Sequence, residues 1–273
     1  MKKFSKNLHT VAAAAILALG AMGSNAMAGE QFTVNPNSNG FATAGTPFDA
    51  TQMTGYSSAR ITRDGTTGFN YSGTGYIVYQ GFANDGGNVS AAVSRLNFDY
   101  GLYATFNQTF SCASLLAPGV ECQVNTISLN LYGDAGNDNT YTRSNLTATG
   151  TVNAVGGQTL LGTVSQVVDG VAGINSLGGA YQNINSNFQL TSAGKAYFID
   201  PVPFYSLAFS AFNNASTGLR CNTANCVNAT VIAINDENGT TTFNATEVPE
   251  PASLAIMGLG LLAVGAARRR KSK

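Results

Sequence analysis

Residues able to perform acid–base, nucleophilic or metal chemistry are few in this sequence. Its one histidine, His9, lies in an N-terminal apolar stretch, so the rest of the chain lacks the imidazole of a Ser-His-Asp or Cys-His site. Ser192 and Lys195 have the Ser-x-x-Lys spacing of a serine–lysine dyad, but two fixed residues in four recur by chance. A glycosidase-like carboxylate pair is formally permitted, although no acidic pair occupies a distinctive setting. We therefore predict that the protein is not an enzyme and has no cofactor.

One loop is rich in the oxygen ligands that calcium prefers. It contains Asp134, Asn137, Asp138 and Asn139, but it lacks the spacing and the bidentate glutamate of an EF-hand. The alternative is a surface turn stabilised by Asx side chains. We predict no metal site, and calcium at residues 134–139 stays an open alternative.

The four cysteines permit three disulfide pairings. Cys112 with Cys122, and Cys221 with Cys226, are the local and sterically easy pairs if the intervening chain turns back. Zinc is the alternative, but neither spacing is Cys-x-x-Cys and no histidine is available nearby. We predict disulfides, as expected for an exported chain.

The first 28 residues have the features of a secretory signal peptide. Lys2, Lys3 and Lys6 precede an apolar run, and Ala26-Met27-Ala28 has the small-x-small pattern that signal peptidase accepts. We predict cleavage after Ala28 and export across the inner membrane.

The C-terminus has a second hydrophobic segment. Residues 252–267 are sixteen uncharged residues, which as a helix reach about 24 Å, slightly short of a bilayer core of about 30 Å. The basic residues that follow favour a cytoplasmic end, which leaves the body of the chain outside. The sequence predicts a transient inner-membrane anchor.

The C-terminal segment resembles the PEP-CTERM sorting signal of Gram-negative bacteria. The resemblance rests on the order of a motif, a hydrophobic helix and a basic cluster. The matching residues are Val248, Pro249, Glu250, Pro251, Arg268, Arg269 and Arg270. The resemblance implies that an exosortase recognises the tail and removes or transfers it, in cells that make exopolysaccharide.

The body between these signals, residues 29–247, is predicted to be one exported domain. It has thirteen acidic and six basic residues, so it has no positive charge excess for binding nucleic acid. Its surface composition of Asn, Ser, Thr, Gly and Tyr suits a hydrated polysaccharide or self-association. Eight Asn-x-Ser/Thr sequons, including Asn238, make glycosylation an open alternative.

Alternating apolar residues predict an all-β fold, a single antiparallel β-sandwich or jelly-roll-like domain flanked by the two terminal helices. Residues 96–107 alternate as a long strand, with Leu96, Phe98 and Leu102 on one face and Tyr103 on the other. Residues 127–132 repeat this scheme, and in residues 205–211 the apolar face contains Leu207 and Phe209. Residues 236–239 have turn chemistry between two strands, and residues 169–177 could form a short helix.

The body also resembles flocculation-associated PEP-CTERM proteins of the PepA type. The segments that carry this likeness are residues 31–36, 49–56, 99–106, 200–205 and 242–243. The family implies a structural role, in which an exported protein and exopolysaccharide hold cells together, and it contributes no catalytic residues.

The sequence as a whole predicts a non-enzymatic, adhesive protein of the cell surface or extracellular matrix. Its expected partners are an exosortase and extracellular polysaccharide, with promotion of flocculation and biofilm as the outcome. The alternatives are a polysaccharide-active enzyme and a surface subunit that assembles with itself.

Overall fold

The fold is all-β, as predicted. The computed structural model describes residues 29–213 and 218–244. In chain order the strands are β1 (Phe32–Val34), β2 (Phe48–Ala50), β3 (Gln52–Arg63), β4 (Asn70–Asn84), β5 (Gly87–Asn88), β6 (Gly101–Cys112), β7 (Glu121–Asp134), β8 (Thr140–Thr142), β9 (Thr151–Asn153), β10 (Gln158–Val164), β11 (Val167–Ile174), β12 (Ala180–Asn187), β13 (Gln189–Leu190), β14 (Phe198–Asp200), β15 (Leu207–Asn213), β16 (Leu219–Cys221) and β17 (Val231–Asn244). Two short helices are α1 (Ala91–Ser94) and α2 (Ser192–Tyr197).

Eight of these strands form one closed antiparallel sheet. Its order is β11-β12-β15-β17-β3-β4-β6-β7, and the beginning of β7 pairs back onto β11, with Cys122 opposite Ala172. The far half of β7 pairs instead with β10, which in turn pairs with β13. Because the sheet closes on itself, these eight strands leave no long unpaired edge.

The closed sheet corrects the prediction of a β-sandwich or jelly roll. Both architectures have the same period-two alternation, so the pattern of one strand cannot distinguish them. Closure depends on β7, whose beginning pairs with β11 and whose far half pairs with β10. The pairing with β11 is non-local, so the pattern of a single strand does not predict it. The predicted signal helix and C-terminal helix fall in residues 1–28 and 248–273, outside the described residues.

The two ends of the barrel-like sheet differ. At one end β12 finishes, β15 begins and β17 finishes, and a small sheet of order β14-β1-β2 packs there. This end, which we call the tail end, is filled by an aromatic cluster of Phe32, Phe188, Phe198, Phe204 and Phe243. The Glu30 amide donates to the Phe243 carbonyl there at 3.1 Å, so both ends of the chain's body lie at the tail end.

The opposite end, which we call the disulfide end, contains both cystine bridges. Cys112 and Cys122 face each other across β6 and β7, with Cα atoms 4.1 Å apart. Cys221 lies in β16 opposite Ile232 of β17 and bonds to Cys226. The structure therefore has the two local pairs that the sequence favours.

Tyrosines cover part of the outer surface. Tyr103 and Tyr132 stack with their ring centroids 5.2 Å apart, and Tyr141 of the β8–β9 hairpin packs against Tyr76 and Tyr103. Tyr103 lies on the outer face of the sheet, as the alternation predicts, but it is only 3% exposed. The hairpin covers this patch, and a strand pattern does not show such a cover.

Three local predictions made from the sequence pattern are wrong. The strand predicted at residues 96–107 begins only at Gly101, after helix α1, and Phe98 is exposed. In β15 the inward residues include Ala208 and Phe212 rather than Leu207 and Phe209, because both faces contain apolar residues. Residues 167–174 form strand β11, and the short helix expected at 169–177 is absent from this described segment.

The turn predicted at residues 236–239 is a β-bulge inside one continuous strand. The pairing of β17 with β3 shifts register between Asn235 and Glu237, and Asp236 has a left-handed φ of 54°. Asx residues tolerate this conformation in bulges as well as in turns. The bulge restarts the alternation, so that Glu237 follows Ile234 on the inner face.

Candidate functional site

An open groove lies at the tail end, beside the aromatic cluster. It has a volume of about 470 Å³, within the usual range for ligand sites. One wall is formed by β13 and α2, with Gln189, Leu190 and Lys195, and the other by residues 201–205. We call it the tail-end groove.

The sequence places rigid elements on both walls. The hydroxyl of Thr191 caps α2 by accepting from the Gly194 amide at 3.0 Å, so the helix begins next to β13. Pro201 and Pro203 have fixed φ and no amide hydrogen, so the segment that contains them leaves the sheet after β14.

The floor of the groove is aromatic and held in place. The Phe204 ring contacts Phe198 and Phe243 with centroids 5.1 Å apart. It also contacts Tyr205 at 5.3 Å. Because these rings fix one another, the half-buried Phe204 and Tyr205 present a preformed apolar surface.

The rim of the groove is polar and almost uncharged. The Tyr205 hydroxyl donates to the Gln31 carbonyl at 2.7 Å, which fixes the ring. Burial raises the pKa of Tyr205, and the nearby carboxylates of Glu30 and Asp200 add to the increase. The phenol therefore stays neutral at ordinary pH. Gln189 and Lys195 are exposed, and Val202 is 85% exposed.

This arrangement can bind a neutral, hydroxyl-rich chain. A sugar ring has an apolar C–H face that packs on an aromatic ring, and its hydroxyls need donors and acceptors at the edge. In the groove, the rings of Phe204 and Tyr205 can pack against the C–H face of a sugar. The side chains of Gln189 and Lys195 can form hydrogen bonds with its hydroxyls.

Of the residues considered for a serine–lysine dyad or a calcium loop, Lys195 lines the tail-end groove and the others do not. Ser192 and Lys195 are both exposed at the start and in the middle of the six-residue helix α2. The Asp134 carboxylate is 1% exposed and accepts from the amides of Gly136 and Asn139. In residues 29–213 and 218–244, no three His, Cys, Asp or Glu side chains are grouped to hold a metal ion. The loop thus has the geometry of the Asx-stabilised turn.

Sequence reasoning did not identify the groove as a site. The patterns in this stretch indicate a family resemblance at residues 200–205 and a dyad spacing at Ser192 and Lys195, and neither indicates a groove, although all the lining residues lie between Phe188 and Tyr205. The detectable signal was the run Pro201-Val202-Pro203-Phe204-Tyr205, in which prolines interrupt an apolar strand pattern.

Comparison with known proteins identifies the sorting signal. Residues 247–271 match the family described as the PEP-CTERM protein-sorting motif. The chain is therefore an exported protein that exosortase sorts to the cell surface. No curated protein and no solved structure matches the chain. The motif residues 248–251 and 268–270 lie outside the described residues, and neither α1 nor α2 in the described ranges is long and apolar enough to span a membrane.

Proposed function

Taking the chain as an exported protein with an exosortase sorting motif, we propose that it is a non-enzymatic adhesive protein of the cell surface. It retains extracellular polysaccharide around cells and so promotes their aggregation in flocs and biofilm. The polysaccharide binds in the tail-end groove, along Phe204 and Tyr205.

The observation that carries this proposal is the preformed aromatic floor with a polar rim, in which Lys195 is the one charged residue among the described lining residues. Such a surface binds each sugar unit weakly, because it offers one apolar face and few hydrogen bonds. Many copies on one cell surface then bind a long polymer strongly through multivalency. Retention by this means needs no reaction on the sugar.

Under this proposal, the sorting tail holds the tail end of the barrel near the inner membrane during export. The chain leaves β17 after Asn244, which pairs with Leu207 next to the groove wall. If residues 252–267 anchor the chain transiently in the inner membrane, the tail-end groove faces the membrane until the tail is processed. Processing then makes the groove accessible to polymer outside the cell.

Binding to the producing strain's own polymer tests the proposal. The exported protein is incubated with purified polymer and sedimented with it, and the bound fraction is measured against protein concentration. We expect Tyr205→Ala to weaken binding at least about tenfold, because one stacking surface and the anchor to Gln31 are lost. Leu177→Ala is the matched control, since Leu177 is 89% exposed and lines a different pocket.

Each alternative role has its own signature in this assay. Shortening of the polymer during incubation would show a polysaccharide-active enzyme and reject the non-enzymatic role. Sedimentation of the protein without polymer would show a subunit that assembles with itself. Equal binding by wild type and Tyr205→Ala would reject the groove as the binding surface.

A further inference from the structure

The tail-end groove lies next to the point where the chain continues toward its sorting motif. Asn244, the last described residue of β17, pairs with Leu207, which follows Tyr205 of the groove wall by two residues. The Phe243 ring packs against Phe204 on the groove floor, with their centroids 5.1 Å apart. The residues that follow Asn244 therefore start at the edge of the groove.

The sorting motif is close enough in sequence to reach the far wall of the groove. Glu250 is six residues beyond Asn244, and six extended residues span about 20 Å. Lys195 of the far wall precedes Phe198 by three residues, and the Phe198 and Phe243 ring centroids are 5.6 Å apart. The Lys195 side of the groove therefore lies within reach of Glu250.

The motif also has the chemistry of a groove ligand. Residues 248–251 are Val-Pro-Glu-Pro, and prolines restrict a backbone to extended conformations before it binds. Proline-rich segments bind aromatic-lined grooves for this reason, because they lose little conformational entropy. The tail-end groove has an aromatic and aliphatic lining of this kind, which includes Val202, Phe204 and Tyr205.

The charges of the motif and of the groove match at one point. Lys195 is the one charged residue among the described lining residues, and within the described ranges its ammonium group has no ion-pair partner. Glu250 is the acidic residue between the two prolines of the motif. Glu30 and Asp200 lie near Tyr205. Their carboxylates repel Glu250 from that side of the groove and leave the Lys195 side for it.

We propose that residues 248–251 of the unprocessed chain bind in the tail-end groove, with the prolines on the aromatic floor and Glu250 paired with Lys195. The chain itself holds the motif next to the groove, so its effective concentration there is about millimolar. A contact that is too weak to form between separate molecules is therefore sufficient.

This contact regulates the polysaccharide site, a consequence that rests on the proposed function. The bound motif covers the rings of Phe204 and Tyr205, so polymer cannot pack on them in the unprocessed protein. Processing that removes the motif opens the groove. Polymer binding is thereby restricted to protein that has been sorted.

Zero-length cross-linking tests the contact without any polysaccharide. Carbodiimide joins an amine to a carboxylate only when the two groups are in contact, and Lys195 is the only lysine in residues 29–247. The unprocessed protein is purified in detergent with its tail intact, treated and digested, and its linked peptides are identified by mass spectrometry. We expect Glu250 to be the main partner of Lys195. Glu247, three residues earlier in the same tail, is the matched control and should be linked at least about fivefold less.

Two variants separate binding in the groove from random contact along the tail. Tyr205→Ala removes part of the aromatic floor, and Pro249→Ser with Pro251→Ser removes the rings that pack on it, while both charges stay in place. We expect each variant to lower the yield of the Lys195–Glu250 link at least about fivefold. The proline changes lie outside the β-rich body, so their effect does not depend on its folding.

Three results would overturn the proposed contact: no Lys195–Glu250 link, equal yields at Glu247 and Glu250, or an unchanged yield in either variant. Sedimentation of the unprocessed and processed proteins with polymer then tests the regulation. We expect the unprocessed protein to bind at least about tenfold more weakly. Equal binding by both forms would reject the regulation, whereas binding by neither form would reject the proposed function and not the contact.

Discussion

At the residue scale, Glu237 is a buried acid inside the barrel. The hydrogen bond that its carboxyl group accepts from Ser57 does not compensate for the loss of hydration, so burial raises the pKa of Glu237 to about 7. A shift in this direction means that the folded chain holds the proton more tightly than the unfolded chain does. Stability must therefore depend on pH.

We predict that Glu237→Gln removes this pH dependence. Between about pH 4.5 and pH 7 the unfolded chain releases the Glu237 proton while the folded chain retains it. The free energy of unfolding should fall by about 3 kcal/mol across that interval and stay constant above it. Urea unfolding of both proteins at several pH values measures the effect, and parallel pH profiles for wild type and variant would contradict it.

At the element scale, the bulge in β17 decides which side chains face inward. Without the bulge, the alternation of β17 would place Asp236 inside and Glu237 outside. The left-handed φ of Asp236 is the cost of this arrangement. Residues with a short polar side chain tolerate it best.

A β-branched residue at the bulge should therefore destabilise the barrel. We expect Asp236→Val to lower the free energy of unfolding by about 1–2 kcal/mol more than Asn238→Val. Asn238 is the matched control, because it is exposed in the same strand without a left-handed φ. Thermal and urea unfolding of the two variants compare them, and equal losses would argue against strain at the bulge.

The two disulfides stabilise the disulfide end of the barrel to different extents. Cys112–Cys122 closes a separation of 10 residues and Cys221–Cys226 one of 5. Loop-closure entropy gives about 3 kcal/mol for the first and about 2 kcal/mol for the second. We expect replacement of Cys112 and Cys122 by alanine to lower the free energy of unfolding more than replacement of Cys221 and Cys226 does. A larger loss for the Cys221–Cys226 pair would count against this account.

Local features of the fold were predictable, and closure was not. Alternation predicted that Ile127, Leu129 and Leu131 share one buried face. The same alternation along the chain predicted an all-β body. The pairing of β7 with β11 joins segments about fifty residues apart, and their own residues do not encode it. The groove is a local feature by contrast, because its lining residues all lie between Phe188 and Tyr205, but a strand pattern does not show that this stretch folds into two walls.

At the scale of the whole molecule, the two ends of the barrel have different chemistry. The tail end contains the groove and both connections to the terminal segments, and the disulfide end contains a small cavity lined by Glu237. These positions separate the proposed polysaccharide site from the buried acid. We therefore expect Glu237→Gln to leave polysaccharide binding at the tail end unaffected.

The sorting motif makes its own prediction at this scale. Pro249→Ala together with Glu250→Ala should block exosortase processing, so that the protein keeps its tail and accumulates in the inner-membrane fraction. Thr246→Ala, just before the matched residues, is the control. Mass spectrometry of membrane and surface fractions reads out the result. Normal surface delivery of the double variant would show that another signal sorts the chain.

The most direct test of the central claim is the distribution of polysaccharide in a strain that lacks this protein. Polymer bound to cells and polymer free in the medium are measured in the deletion strain and after complementation with wild type or Tyr205→Ala. We expect the deletion strain to make a normal total amount of polymer, shed it into the medium and grow dispersed, with rescue by wild type alone. Normal flocs with bound polymer in the deletion strain would contradict the account.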